Sequence, residues 1–311
     1  MTGAKTGSEQ PLVLVTGAAG LIGAAVAERL RKGSFNVLAT DIRVPEAGSA
    51  LDFTDRAAVF RLADLKIDTV VHCGAISGPA DARDNPHRIA PVNVGGTINL
   101  LELASVTGIR RFVYCSSTSV YGDVFGAGPI TEDVLLRPKS LYGASKAAAE
   151  FLVTGYGRQV GFETLCLRIS TVYGPARKHF CAIRTLVDAA VTGQVGHLDH
   201  GREDLRQYVH VSDVAEAIFL AVASPRSPPA ALNITGGSHI RMSAIARMVA
   251  QQVDGFFWDI GATPDPGEDI HLPFSIEAAH QSIGYEPHVK LEDGIAELVH
   301  HARNLKPDQR R

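Results

Sequence analysis

Apolar residues in the first half of the chain gather in short runs, each followed by a longer stretch with apolar positions at helical spacing. PLVLVT (11–16), FNVLATD (35–41), IDTVVHCGA (67–75), RRFVYCSS (110–117) and FETLCLRI (162–169) read as strands. AAVAERLRKG, VNVGGTINLLELASVTG and the alanine-rich stretch after Leu141 read as helices between them. Near-continuous apolar strands alternating with helices predict an α/β fold with a parallel sheet covered on both faces. The second half is less regular. Helices are expected near 180–192, 213–223, 241–253 and 291–303, separated by turn-rich ASPRSPPA (223–230) and IGATPDPGEDIHLPF (260–274). The expected division is a loose tail over 1–10, a core over 11–175 and a smaller cap over 176–311 that returns segments to the core.

With 311 residues, 45% of them hydrophobic and 20% charged, the chain can bury a sizeable core. A net charge of −3 gives no basic footprint for nucleic acid or an anionic membrane, and the aromatics are too scattered for a base-stacking platform. No apolar run reads as long and charge-free enough to span a bilayer. The opening MTGAKTGSEQ lacks the apolar centre of a signal peptide. Cys73, Cys115, Cys166 and Cys181 have neither CxxC nor zinc-clip spacing. These features fit a cytoplasmic protein without a metal.

TGAAGLIG (16–23) joins the first strand to the first helix. Gly17, Gly20 and Gly23 let backbone amides approach a pyrophosphate, while Leu21 and Ile22 open a helix whose N-terminus favours anions. Asp41 ends the second strand, where a carboxylate can accept the ribose hydroxyls of an adenosine and repel a 2′-phosphate. This favours NAD over NADP, although Arg43 stands two residues later. LDFTD (51–55) offers Asp52, beside Phe53, to an adenine amino group, or as a helix cap.

LYGASKAAAE (141–150) sets Tyr142 and Lys146 four apart on one helix face. A phenol titrates near 10, about three units too high for a base at neutral pH, a gap worth roughly 4 kcal/mol. An ammonium ~4 Å away at an effective dielectric near 20 supplies about that much. The pair is therefore a candidate for removing a hydroxyl proton.

Taken in order, TGAAGLIG, HCGA (72–75), NVGGT (93–97), YCSSTSVYG (114–122), YGASK (142–146), LRISTVYGP (167–175) and RQYVHVSDVAEA (206–217) resemble the extended short-chain dehydrogenase/reductases of the NAD-dependent epimerase/dehydratase family. The resemblance runs from about Pro11 to Arg303. It implies a Rossmann-type doubly wound parallel sheet, a smaller C-terminal substrate-binding α/β cap, bound NAD, and a catalytic Ser117, Tyr142 and Lys146. It also implies that Cys73, Gly74 and Ala75 lie along the cofactor, that Asn93 stands behind the active site, and that Lys146 reaches the nicotinamide ribose. Helices near 90–107 and 142–160 would form a homodimer.

Ser117-Thr118-Ser119-Val120 lacks the carboxylates that dehydratases and decarboxylases of the family carry there. Arg206 matches one diphosphate-binding arginine, but Thr171 stands for the usual asparagine and Asp265 for the second arginine. The expected substrate is therefore a free sugar, sugar acid or polyol, held by Ser117, Thr118, Thr171, His179 and Arg206 and oxidised at a secondary hydroxyl. Arg168, Arg177 and Arg184 are further candidates for the mouth. The alternative is a nucleotide-sugar 4-epimerase that retains NAD. A third reading is a non-catalytic NAD-binding sensor.

Overall fold

The computed structural model describes residues 10–44, 47–177 and 180–305. Its first half runs β1 (Leu12–Thr16), α1 (Leu21–Lys32), β2 (Asn36–Asp41), β3 (Ser49–Ala50), α2 (Arg56–Phe60), β4 (Ile67–His72), α3 (Pro79–Asp84), α4 (Pro86–Ile89), α5 (Thr97–Thr107), β5 (Arg111–Ser117), α6 (Leu141–Val160) and β6 (Glu163–Ile169). The second half contributes β7 (Thr171–Tyr173), α7 (Ala182–Val191), β8 (Gly196–Leu198), β9 (Leu205–His210), α8 (Val211–Ala223), β10 (Ala231–Ile234), β11 (His239–Arg241), α9 (Met242–Gln252), β12 (Trp258–Ile260), α10 (Glu277–Ile283) and α11 (Leu291–Asn304).

Among the described residues the main sheet has seven strands in the order β10-β6-β5-β4-β1-β2-β3, all parallel. This is the Rossmann-type doubly wound arrangement. The strand order reverses between β1 and β4, which opens a crevice beyond their carboxyl ends. One face buries Val13, Val15, Val71, Val113 and Leu165 against α1 and α8. The other buries Leu14, Val70, Phe112 and Tyr114 against α5 and α6. A separate core of Ile183, Leu186, Ile245, Ile295 and Leu298 joins α7, α9 and α11. From the second half, β10 pairs with β6 and α8 packs on α1.

The five expected strands and the four later helices appear within a few residues of their expected bounds. The short strands β7, β8, β9, β11 and β12 were not separated by the pattern, because each is only three to six residues long. A larger difference concerns Pro86–Thr107, a 22-residue helix that is apolar enough by length and composition to cross a membrane. Proline and paired glycines obscure its continuity in the sequence. A π-helical stretch, Ala90–Gly96, joins α4 to α5, and α5 packs against α2, β4 and α6.

Candidate active site

The crevice begins at Gly17, whose φ of +69° is poorly tolerated by side chains. A Cβ there would lie 2.6 Å from Cα of Gly74, so the turns after β1 and β4 approach too closely for any other residue. Gly23 is constrained likewise, because a Cβ would collide with the Gly17 carbonyl. Gly20 caps α1 without a side-chain hydrogen bond. The first-turn amides, at Leu21, Ile22 and Gly23, therefore get no side-chain cap from it, an arrangement suited to a phosphate.

Asp41 is buried at the end of β2. Its carboxylate accepts from the Ala19 amide at 3.1 Å and the Arg43 amide at 3.0 Å, which fixes it over the glycine turn. Asp52 instead accepts from the amide and hydroxyl of Thr54, and Asp55 caps α2. Phe53 packs edge-on to His72 and fills the space beside Gly74 and Gly96.

His72 was not singled out in the sequence, yet it links this turn to the helix bearing Tyr142. The Thr97 hydroxyl donates to the Asn93 carbonyl at 2.7 Å, so its oxygen accepts from His72 Nε2 at 3.0 Å. His72 Nδ1 then accepts from the Thr16 hydroxyl at 2.7 Å. Burial, followed by the charge of Lys146, holds this imidazole down to about 3, so it is neutral. Asn93 lies in the π-helical stretch. Its side chain accepts from the Ile76 amide and donates to the Ile76 carbonyl and the Ser145 hydroxyl at 2.9 Å. Ser145 in turn donates to the Tyr142 carbonyl.

The helix α6 starts cleanly because Ser140 accepts from the Gly143 amide. Tyr142 and Lys146 share a face, with the ammonium 5.9 Å from the phenol ring centroid. Lys146 is only 3% exposed. It donates to the Cys115 carbonyl at 2.7 Å, lies 4.8 Å from the Tyr114 ring, and forms no ion pair among the described residues. A buried, unpaired ammonium is costly, and such a group is expected where a site requires the charge. Ser117, at the end of β5, accepts from the Ser119 amide and starts a 3-10 turn through Val120.

Toward the second half, Thr118, Ser119, Ser170, Thr171 and Arg206 line a polar pocket with Glu268, Asp269 and Phe274. Arg206 is 8% exposed and faces three carboxylates: Asp204 at 3.1 Å, Asp265 at 3.7 Å and Glu268 at 4.0 Å. Burial, opposed by Arg206 and reinforced by neighbouring acids, raises the Glu268 carboxyl. Arg168 does not reach this mouth. It is buried beside α6 in a bidentate pair with Glu150 and also donates to Tyr121 and the Glu132 carbonyl. Arg177 donates to the carbonyls of Val172 and Phe180, and Arg184 pairs with Asp188. His179 lies outside the described residues.

The NAD dependent epimerase/dehydratase family model matches residues 13–235. The chain belongs to this family. It is thus an extended short-chain dehydrogenase/reductase and an enzyme. It is 29% identical to UDP-glucose 4-epimerase of Mycolicibacterium smegmatis, over 94% of this chain and 98% of that protein. UDP-glucose 4-epimerase of Thermus thermophilus, solved in complex with NAD, superposes with a TM-score of 0.85 at 28% identity, covering 94% of this chain and 99% of that one. MoeE5, solved with UDP-glucuronic acid and NAD, gives 0.85 at 30% identity, with the same coverage.

Proposed function

We propose that this enzyme uses NAD to oxidise a secondary hydroxyl of a carbohydrate substrate, with the core holding the cofactor and the cap the sugar. The observation that carries this reading is the buried, unpaired Lys146 ammonium beside Tyr142. The cradle fits NAD: Gly17 and Gly74 leave room for backbone alone, the N-terminus of α1 lacks a side-chain cap, and Asp41 is held where an adenosine ribose would lie. Bound NAD supplies the hydride acceptor at the carbinol carbon. Tyr142 takes the hydroxyl proton, Lys146 offsets the charge left on the phenolate, and Ser117 hydrogen-bonds the same substrate oxygen.

The relatives support a nucleotide-sugar 4-epimerase, in which the hydride returns to the substrate, better than a free-sugar dehydrogenase. One observation favours the dehydrogenase: Asp204, Asp265 and Glu268 already neutralise Arg206, leaving an acidic pocket for any diphosphate to enter. Incubation with NAD and a panel of UDP- and dTDP-sugars, free sugars, sugar acids and polyols tests both. The epimerase converts one nucleotide sugar into its 4-epimer with no net reduced nicotinamide. The dehydrogenase accumulates reduced nicotinamide with a sugar lacking the nucleotide. If the purified protein neither carries NAD nor binds it in calorimetry, both readings fall.

A further inference from the structure

The β4–β5 register pairs His72 with Tyr114, which sets Cys73 and Cys115 abreast at the carboxyl edge of the sheet. Their sulfurs lie 3.5 Å apart in hydrogen-bond contact. Cys115 is buried, whereas Cys73 is half-buried and immediately precedes the Gly74 that meets Gly17 in the crevice. The pair therefore has one partly exposed residue at the crevice and a buried one directly beside it. Neither thiol contributes to the chemistry described above, although the Cys115 carbonyl holds Lys146. Cys166 and Cys181 are each buried in apolar cores, the former against β5 and the latter beside α7.

We propose that Cys73 and Cys115 form a modification site at which a hydroperoxide makes an intramolecular disulfide, and that bound NAD shields it. In the first step the Cys73 sulfur attacks the peroxide O–O bond. Cys73 becomes a sulfenic acid, and its former proton leaves on the alcohol or water released. In the second step the Cys115 sulfur displaces water from the Cys73 sulfenic acid, and the S–S bond forms. Two thiols and one hydroperoxide thus give one disulfide, one alcohol or water, and one water. The sulfurs must close from 3.5 Å to about 2 Å. Hydrogen bonding to Cys73, opposed by burial and aided by the Lys146 charge, holds the Cys115 thiol below its ordinary range, while the same contact and burial push Cys73 up. The contact therefore favours the Cys115 thiolate, the nucleophile of the second attack.

The protein as purified is treated with hydrogen peroxide, with and without NAD, then alkylated and weighed intact. The expected product has lost two hydrogens and retains two of its four thiols, and peptide mapping joins Cys73 to Cys115. Cys115→Ser should instead accumulate oxygen on Cys73 without the link. Mapping of the unmodified protein decides the question if that variant does not fold. A link elsewhere, or none, overturns the proposal. The shielding arm rests on the NAD reading above. At about a hundredfold excess of NAD over its Kd, the unliganded fraction and the oxidation rate should fall about 100-fold. An unchanged rate with NAD that calorimetry proves bound overturns the shielding. A protein that neither carries NAD as purified nor binds it overturns the functional reading and leaves the dithiol result standing.

Discussion

Arg206 faces Asp265 at 3.7 Å, and the Asp265 amide donates to Asp204, the carboxylate that Arg206 also holds at 3.1 Å. The loop carrying Asp265 is thereby fastened to the arginine that a diphosphate would need. Asp265→Asn removes one like charge from the approach of an anion, worth about 1 kcal/mol at this spacing. UDP affinity measured by calorimetry should rise about fivefold, with NAD affinity unchanged. Unaltered UDP binding would show that Asp265 does not face the ligand.

His72 links stability to pH. Its neutral ring, held down to about 3 by burial, takes no proton in the folded state down to that pH, whereas the unfolded residue titrates near 6.5. Between these values the unfolded chain binds more protons, so stability is full above about 6.5 and falls as the pH drops toward 3. The limiting slope is about 1.4 kcal/mol per pH unit. His72→Asn should flatten the denaturant midpoint between about pH 6.5 and 5 relative to the unmodified protein. Equal slopes would mean that the Thr16–His72–Thr97 chain tolerates the proton.

The strand–helix alternation, the glycine turn and the Tyr142–Lys146 spacing are legible because each is local: period, turn chemistry and helical repeat lie within a dozen residues. The His72 relay is not, since Thr16 and His72 are 56 residues apart and His72 and Thr97 are 25 apart. Arg168 is one of the candidates for the mouth in the sequence. Strand alternation instead turns it to the α6 side, where Glu150 waits one turn beyond Lys146. Thr171 does line the pocket, and the carboxylates around Arg206 come from segments about 60 residues apart. The family resemblance, not periodicity, sets Asp265 opposite Arg206, while nothing in the pattern singles out Asp204 or Glu268.

That buried pair yields a stability prediction. Arg168 and Glu150 have side chains 8% and 5% exposed. Arg168→Met strands the Glu150 carboxylate and the Tyr121 hydroxyl away from a cation, at a cost of about 3–5 kcal/mol. Chemical denaturation should show that loss, and Arg168→Met combined with Glu150→Leu should recover much of it. A small loss in the single variant would indicate that water reaches Glu150.

On the outer surface of α5 and α6, Val106 is 64% exposed and Phe151 68%. These helices pack on each other and leave an apolar face without cover in one chain. We propose that a twofold copy covers it, as the family resemblance implies. Phe151→Glu should convert the sedimenting species from dimer to monomer at micromolar protein. A monomer before substitution would refute this.

Tyr142 carries the strongest prediction. The Tyr142→Phe change removes one oxygen and leaves the ring, which packs with Ala82 and Ile89. The fold and NAD binding should therefore survive, while loss of the base lowers turnover by about 10²–10⁴-fold. Lys146→Ala should act more widely, because the ammonium that Cys115 positions is lost and a buried gap is left beside Tyr114. Its NAD affinity should fall along with turnover. Ser117→Ala should slow turnover and spare NAD. Since the three groups serve one proton transfer, the double variant Tyr142→Phe/Ser117→Ala should be little slower than Tyr142→Phe alone. Single-turnover rates on the substrate found in the panel, set beside calorimetric NAD affinities, separate these outcomes. Near-normal turnover in Tyr142→Phe would leave the buried ammonium of Lys146 without the role given to it, and the proposed chemistry would be wrong.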